Sequence, residues 1–355
     1  MATRFQVTLQ PTIEEAIETF DIPGFAILAA RSGQPVERLF VGTDAAGTPL
    51  NDESIFPISS VGKLAVALAV LRLADAGQVA LDDPLSDYLP DAAAAQAGVT
   101  LRTLLTHTNG LPFNYAEETT PYTPDLTWPT IVEACLHTAL ETPPGTRVAY
   151  SEVDYILLAV IVERLTGQRF GAALNALVFE PLACEAYRGD EPPRSPVRIA
   201  GVSGQYSGTP LEAYNSAFHR ALANPSDSML ATADGTLRLV RAFQGWPAGF
   251  LRAETRAEAT RNQVGDLGGG FIGFLEWSHC PWGLGPELYG AKTPHWAPAA
   301  AGADSFGHAG ASGCMAWVAP ADGIAWTIHG TRHIANWLVE RGPIIGEAIL
   351  ATLRQ

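Results

Sequence analysis

The sequence predicts a mixed α/β fold: an antiparallel sheet flanked by helices and built from both chain termini, with an all-helical lobe inserted between them. Three observations predict it. Strand-like runs sit near both ends of the 355-residue chain, at 24–30 and 36–41 and again at 282–288, 312–318 and 323–330. The middle reads as helical segments joined by Pro- and Gly-rich loops. A nearly all-apolar stretch follows Ser60 and runs to about residue 76, where Gly77 closes it, which is the pattern of a buried helix.

Each element follows from local chemistry. Residues 12–20 form a short first helix. The cluster Arg31-Ser32-Gly33-Gln34-Pro35 is turn-forming, so the first two strands make a hairpin. Residues 155–165 make a second buried helix, stopped by Gly167, and 237–243 and 253–261 make two more. The last two strands are joined by Ala319-Pro320-Ala321-Asp322. A final helix over 334–353 is interrupted by Gly342-Pro343. The expected lobes are therefore 1–80 plus 266–355, mixed α/β, and 81–265, mainly helical. A site in the crevice between them is the default expectation.

Composition narrows the function classes. The chain is 47% hydrophobic and 17% charged, which is globular. A formal net charge of −15 argues against nucleic acid as a partner. No apolar run is long enough to span a membrane, so no membrane partner is expected. The first twenty residues lack a basic segment followed by an apolar one. Cys135, Cys184, Cys280 and Cys314 are far apart and form no CxxC pair, so free thiols are expected. Together these readings point to the cytoplasm. His329 and His333 lie four apart but lack the glutamate of a metalloprotease helix, so no metal is expected.

The chemistry starts at Ser60-Val61-Gly62-Lys63. Three residues separate a hydroxyl from an amine on one helix face. An amine inside an apolar helix is costly while charged, so it is either depressed in pKa or paired. A depressed amine beside a serine can activate it as a nucleophile. The bland alternative is a helix cap and a snorkelling lysine. One fact favours the reactive reading. Of the 22 basic residues only Lys63 and Lys292 are lysines, and lysine is the cation that can act as a neutral amine.

Two further segments join it. Tyr150 follows Pro143-Pro144-Gly145 and precedes the second buried helix, where it serves as a proton shuttle or as an ordinary half-buried tyrosine. Phe306-Gly307-His308-Ala309-Gly310-Ala311 is either a tight strand entry or a backbone that approaches a ligand closely. Trp277, Trp282 and Trp296 either wall an apolar acyl pocket or pack the lobe. His107 reads as structural.

Taken in order, Ser60-x-x-Lys63, Tyr150-Ser151 and His308-x-Gly310 resemble the serine β-lactamase and penicillin-recognising hydrolase family, closest to its class C β-lactamase and family VIII carboxylesterase branch. Leu104-Leu105-Thr106-His107-Thr108-Asn109-Gly110-Leu111-Pro112 and the Thr232-Ala233-Asp234 helix start are similar to segments of that family. The resemblance implies a β-lactamase/transpeptidase-like fold and a serine hydrolase that needs no cofactor. Ser60 would be the acylated nucleophile. Lys63 would take its proton or hold Tyr150 as phenolate. The N–H groups of Ser60 and Ala311 would form the oxyanion hole. Glu152, His308 and Gly310 would line the substrate.

Two departures shape the expected substrate. Glu152 stands where the family has asparagine, and His308-Ala309-Gly310 stands where β-lactamases have Lys-Thr-Gly. Both remove groups that would hold a polar amide or a carboxylate. An inward Glu152 would pair with Lys63 and disfavour anionic substrates. The expected activity is a carboxylesterase on small esters. A β-lactamase or D-amino-acid peptidase or amidase with the same mechanism is the alternative, and a catalytically silent binding protein on the same scaffold is a third. The partner is a small ester or amide. The oligomeric state is open.

Overall fold

The computed structural model describes residues 3–189 and 191–355. Its centre is a six-stranded sheet of β1 (Gly24–Arg31), β2 (Glu37–Gly42), β3 (Glu287–Leu288), β4 (Phe306–Gly310), β5 (Cys314–Ala319) and β6 (Ile324–Gly330). The strand order is β2-β1-β6-β5-β4-β3, and every pairing is antiparallel. The two chain ends meet at the middle of the sheet, where Leu28 faces Thr327.

Side-chain alternation explains why this sheet is covered on both faces. Along β1, Phe25, Ile27 and Ala29 enter one core, and Ala26, Leu28 and Ala30 enter the other. Along β5, Met315, Trp317 and Ala319 join the first, and Cys314, Ala316 and Val318 the second. Helices α1 (Arg4–Phe20) and α5 (Trp337–Leu353) cover the first face. The second core is continuous with α2 (Lys63–Asp75), α3 (Glu152–Thr166) and α4 (Ala233–Gln244). Thus α4, although it lies within 81–265, packs on the sheet. No helix among the described residues is long and apolar enough to cross a membrane.

Four expectations need correction. Helix α1 begins at Arg4, not at residue 12, because Thr3 and Gln6 form a capping box and Pro11 sits inside the helix. Helix α5 is continuous through Pro343. Its buried Trp337, Leu338, Ile345 and Ile349 hold it to the sheet. Gly342 is there for contact: a Cβ would stand 2.4 Å from the Trp296 carbonyl oxygen. The strand expected over 282–288 shrinks to β3, because Gly283 N–H turns back to the Pro286 carbonyl. Finally, Ser60 lies in a 3-10 turn, Ser59–Gly62, and α2 starts at Lys63.

Candidate active site

That 3-10 turn matters, because side chains at i and i+3 eclipse in it. Lys63 Nζ therefore returns to within 3.2 Å of Ser60 Oγ. Ser59, just before the serine, has φ +43, a strained left-handed conformation for a residue with a side chain. Its hydroxyl donates to Asp227 Oδ1 at 2.9 Å, which fixes the turn.

Lys63 is fully buried, yet its nitrogen has three acceptors: Glu152 Oε2 at 2.8 Å, the Ser226 carbonyl at 3.0 Å and Ser60 Oγ. Glu152 opens α3 and its side chain is 13% exposed. It turns inward, which settles the orientation that the sequence left open. Ser226 Oγ in turn bonds the Glu152 carbonyl, which ties the loop to the helix start. Burial lowers the Lys63 pKa from its ordinary value, and the Glu152 charge opposes that shift. Burial likewise raises the Glu152 carboxyl, with Lys63 opposing. The coordination suits both protonation states. A neutral amine gives two N–H groups to Glu152 and Ser226 and turns its lone pair to Ser60. An ammonium gives three N–H groups to the same three atoms.

Tyr150 is nearly buried. Its ring packs at a tilt against Phe271 at 4.5 Å and His107 at 4.6 Å. Lys63 Nζ lies over that ring, 4.8 Å from its centre, and donates to other atoms. Burial raises the Tyr150 pKa well above the ordinary phenol value, Glu152 adds to it, and the Ser60 hydroxyl pulls it back. The direction of this shift favours the phenol, which fits the alternative in which Lys63 takes the serine proton.

Beneath Tyr150, His107 Nδ1 lies 2.8 Å from Asp154 Oδ2 and accepts the Ser151 N–H at 3.2 Å. Burial lowers the His107 pKa and raises that of Asp154. Sequence reasoning missed Asp154 in this role. It also missed Ser226 and Asp227, whose signal was a turn-forming Asn-Pro-Ser-Asp run that marks a loop without saying what it faces.

Ser60, Glu152 and Ala311 share a cavity of about 470 Å³. Ser59, Ser60 and Ala311 come from the terminal segments; the rest of the lining falls within residues 113–228. His308 and Gly310 do not line it, contrary to expectation. His308 is fully buried, its ring 5.9 Å from Tyr150 and 6.0 Å from Trp282. A Cβ on Gly310 would stand 2.6 Å from the Ile58 carbonyl oxygen, so this glycine lets β4 press against the nucleophile segment. Trp277, Trp282 and Trp296 pack the first core and do not wall the cavity. All four cysteines are buried free thiols.

A sheet closed by both chain ends, with Ser-x-x-Lys at the head of a buried helix, defines the class: this is a serine hydrolase. The Beta-lactamase family model matches residues 9–342, and the chain belongs to that family. Esterase EstB of Burkholderia gladioli is 30% identical over 303 residues, covering 75% of this chain and 76% of that protein. Penicillin-binding protein 4 of Amycolatopsis lactamdurans is 34% identical over 167 residues, 45% of this chain and 43% of that one. In fold, the chain is similar to a penicillin-binding protein homologue from Caulobacter crescentus, with TM-score 0.78 and 23% identity over 99% of this chain and 98% of the other.

Proposed function

We propose that the protein is a carboxylesterase that cleaves small esters through an acyl-enzyme on Ser60. The observation that carries this is the Lys63 nitrogen, 3.2 Å from Ser60 Oγ and anchored on its other side by Glu152 and Ser226. As Ser60 Oγ bonds to the ester carbonyl carbon, its proton passes to Lys63. The ammonium that forms has all three N–H groups matched and a carboxylate beside it, so the site binds the charge that develops in the transition state. The N–H groups of Ser60 and Ala311, at the cavity wall, serve the oxyanion. Collapse breaks the carbon–alkoxide bond, and the phenol of Tyr150 protonates the departing oxygen. Tyr150 then regains a proton from the Lys63 ammonium. Water repeats the cycle on the acyl-enzyme and releases the acid.

Three points support an ester over the alternatives. The esterase of Burkholderia gladioli is a relative across most of both chains. Glu152 and Asp227 line the cavity, and no lysine or arginine does among the described residues, so a penicillin carboxylate meets repulsion. An intact Ser60–Lys63 contact argues against a silent binding protein. We take 81–265 and the paired terminal segments as the two lobes that enclose the cleft. Four free thiols support a cytoplasmic location. The test is hydrolysis of short-chain p-nitrophenyl esters by wild type and Ser60→Ala. Turnover lost in a folded Ser60→Ala supports the proposal. No turnover by folded wild type at any acyl length removes it.

A further inference from the structure

Beyond the nucleophile, the cavity carries three carboxyl side chains, Glu117, Glu152 and Asp227. Glu152 is engaged by Lys63. Asp227 is not so engaged. One of its oxygens accepts from Ser59. The other lies 3.3 Å from His219 Nε2, outside hydrogen-bond geometry, and the side chain is 29% exposed. His219 lines the same cavity, is 5% exposed, and has no hydrogen-bond partner at Nε2. Burial lowers its pKa below the ordinary imidazole value, with Asp227 opposing, so it supplies no settled counter-charge.

Aromatic rings surround this carboxylate. Tyr122, Tyr206 and Tyr214 line the cavity. The rings of Tyr122 and Tyr206 are 5.1 Å apart, and Tyr214 meets His219 edge-on at 5.3 Å. The Tyr122 hydroxyl donates to the Leu211 carbonyl, and that of Tyr206 to the Tyr122 carbonyl at 2.6 Å. With those hydroxyls committed, these two tyrosines offer the cavity aromatic surface. A carboxylate with an open oxygen among aromatic rings, in a cavity lined by no lysine or arginine among the described residues and with Lys63 already engaged by Glu152, is the chemistry that recognises an ammonium group.

We propose that this wall holds a protonated amino group on the acyl part of the substrate, with Asp227 as its partner, so that the substrate class is esters of amino acids. The inference rests on the acyl-enzyme reading above. Asp227 holds Ser59, whose Cα is about 3.8 Å from that of Ser60, so the amine belongs close to the scissile carbonyl, as in an α- or β-amino acid.

The experiment compares three ethyl esters that differ at one position: valine with a free amine, in both enantiomers, N-acetylvaline, and 3-methylbutanoate. The pH keeps the amine protonated. The expected result is a kcat/KM for one valine enantiomer about tenfold or more above both neutral esters. Asp227→Asn, which keeps an acceptor for Ser59, should bring that ratio close to one. If 3-methylbutanoate is cleaved and the amine gives no preference, this inference falls and the esterase reading stands. If no ester is cleaved, the esterase reading falls, and calorimetry on wild type decides here. Valinamide binding about tenfold tighter than 3-methylbutanamide supports the ammonium site. Equal or undetectable binding overturns it, as it also does should Asp227→Asn fail to fold.

Discussion

Both lysines of the chain are fully buried, and each sits against a glutamate. Lys63 Nζ is 2.8 Å from Glu152, and Lys292 Nζ is 2.7 Å from Glu287. The surroundings then diverge. Glu287 is sealed, shares its Oε1 with His295 at 3.2 Å, and lies where Trp277 and Trp282 cover the lysine at 4.9 and 5.1 Å. Burial works to raise the Glu287 carboxyl, but Lys292 and His295 hold it down to about 2. Glu152 faces a cavity, has one cation, and is raised instead. The further partner also differs. Lys292 has the Pro281 carbonyl at 3.2 Å; Lys63 has the Ser60 hydroxyl. A carbonyl has no proton to give, and a hydroxyl does. Burial and pairing are thus common to both sites. What sets Lys63 apart is the proton donor beside it, which the proposed role as a base requires.

The largest expected effect lies at the first pair. Lys63→Met should lower ester kcat/KM by about a thousandfold or more, on the order of 4 kcal/mol in the barrier. The fold should survive, because the unpaired Glu152 can take water from the cavity. Steady-state kinetics beside a thermal melt checks both. The mirror change, Lys292→Met, should do the reverse. It leaves Glu287 charged and enclosed, at a cost of about 3–5 kcal/mol in unfolding free energy. The folded fraction should keep kcat within a few-fold. A silent melt with lost turnover at Lys292 would break the comparison.

A smaller effect sharpens it through pH. The Glu287 pKa is depressed in the folded state, so its stabilisation is present above the ordinary carboxyl value and is lost as pH falls towards about 2. Glu287→Gln should therefore flatten the acid side of the stability profile. Denaturant midpoints measured from neutral pH downward would show this. A parallel fall in wild type and variant would mean that another carboxyl governs acid unfolding.

Much of this was legible in the sequence because it is local. Continuous apolar runs mark β1 and β5, glycine closes α3, and a lysine among arginines singles out residue 63. What failed was non-local. Pro343 is tolerated because the sheet holds the helix on both sides of it. His308 and Gly310 were expected at the substrate, but a strand places alternate residues on opposite faces, and only the packing against Ile58 and Trp282 says which face is which. Asp227 reaches the site from a loop 168 residues away from Ser59. Spacing carries no information about such a contact.

The smallest effect asked of the comparison concerns Glu152 itself. Its charge opposes the drop in the Lys63 pKa that burial causes. Glu152→Gln keeps an acceptor near the amine and removes that charge, so the Lys63 pKa should fall further. If Lys63 is the base, kcat/KM rises with pH as the free enzyme loses the Lys63 proton. The rising limb in Glu152→Gln should then move to lower pH than in wild type. The plateau should fall by about tenfold or less, because the ammonium formed in the transition state loses its counter-charge. A limb that stays put would place the titrating base elsewhere. A limb that moves to higher pH would mean that Glu152, not burial, is what keeps Lys63 unprotonated.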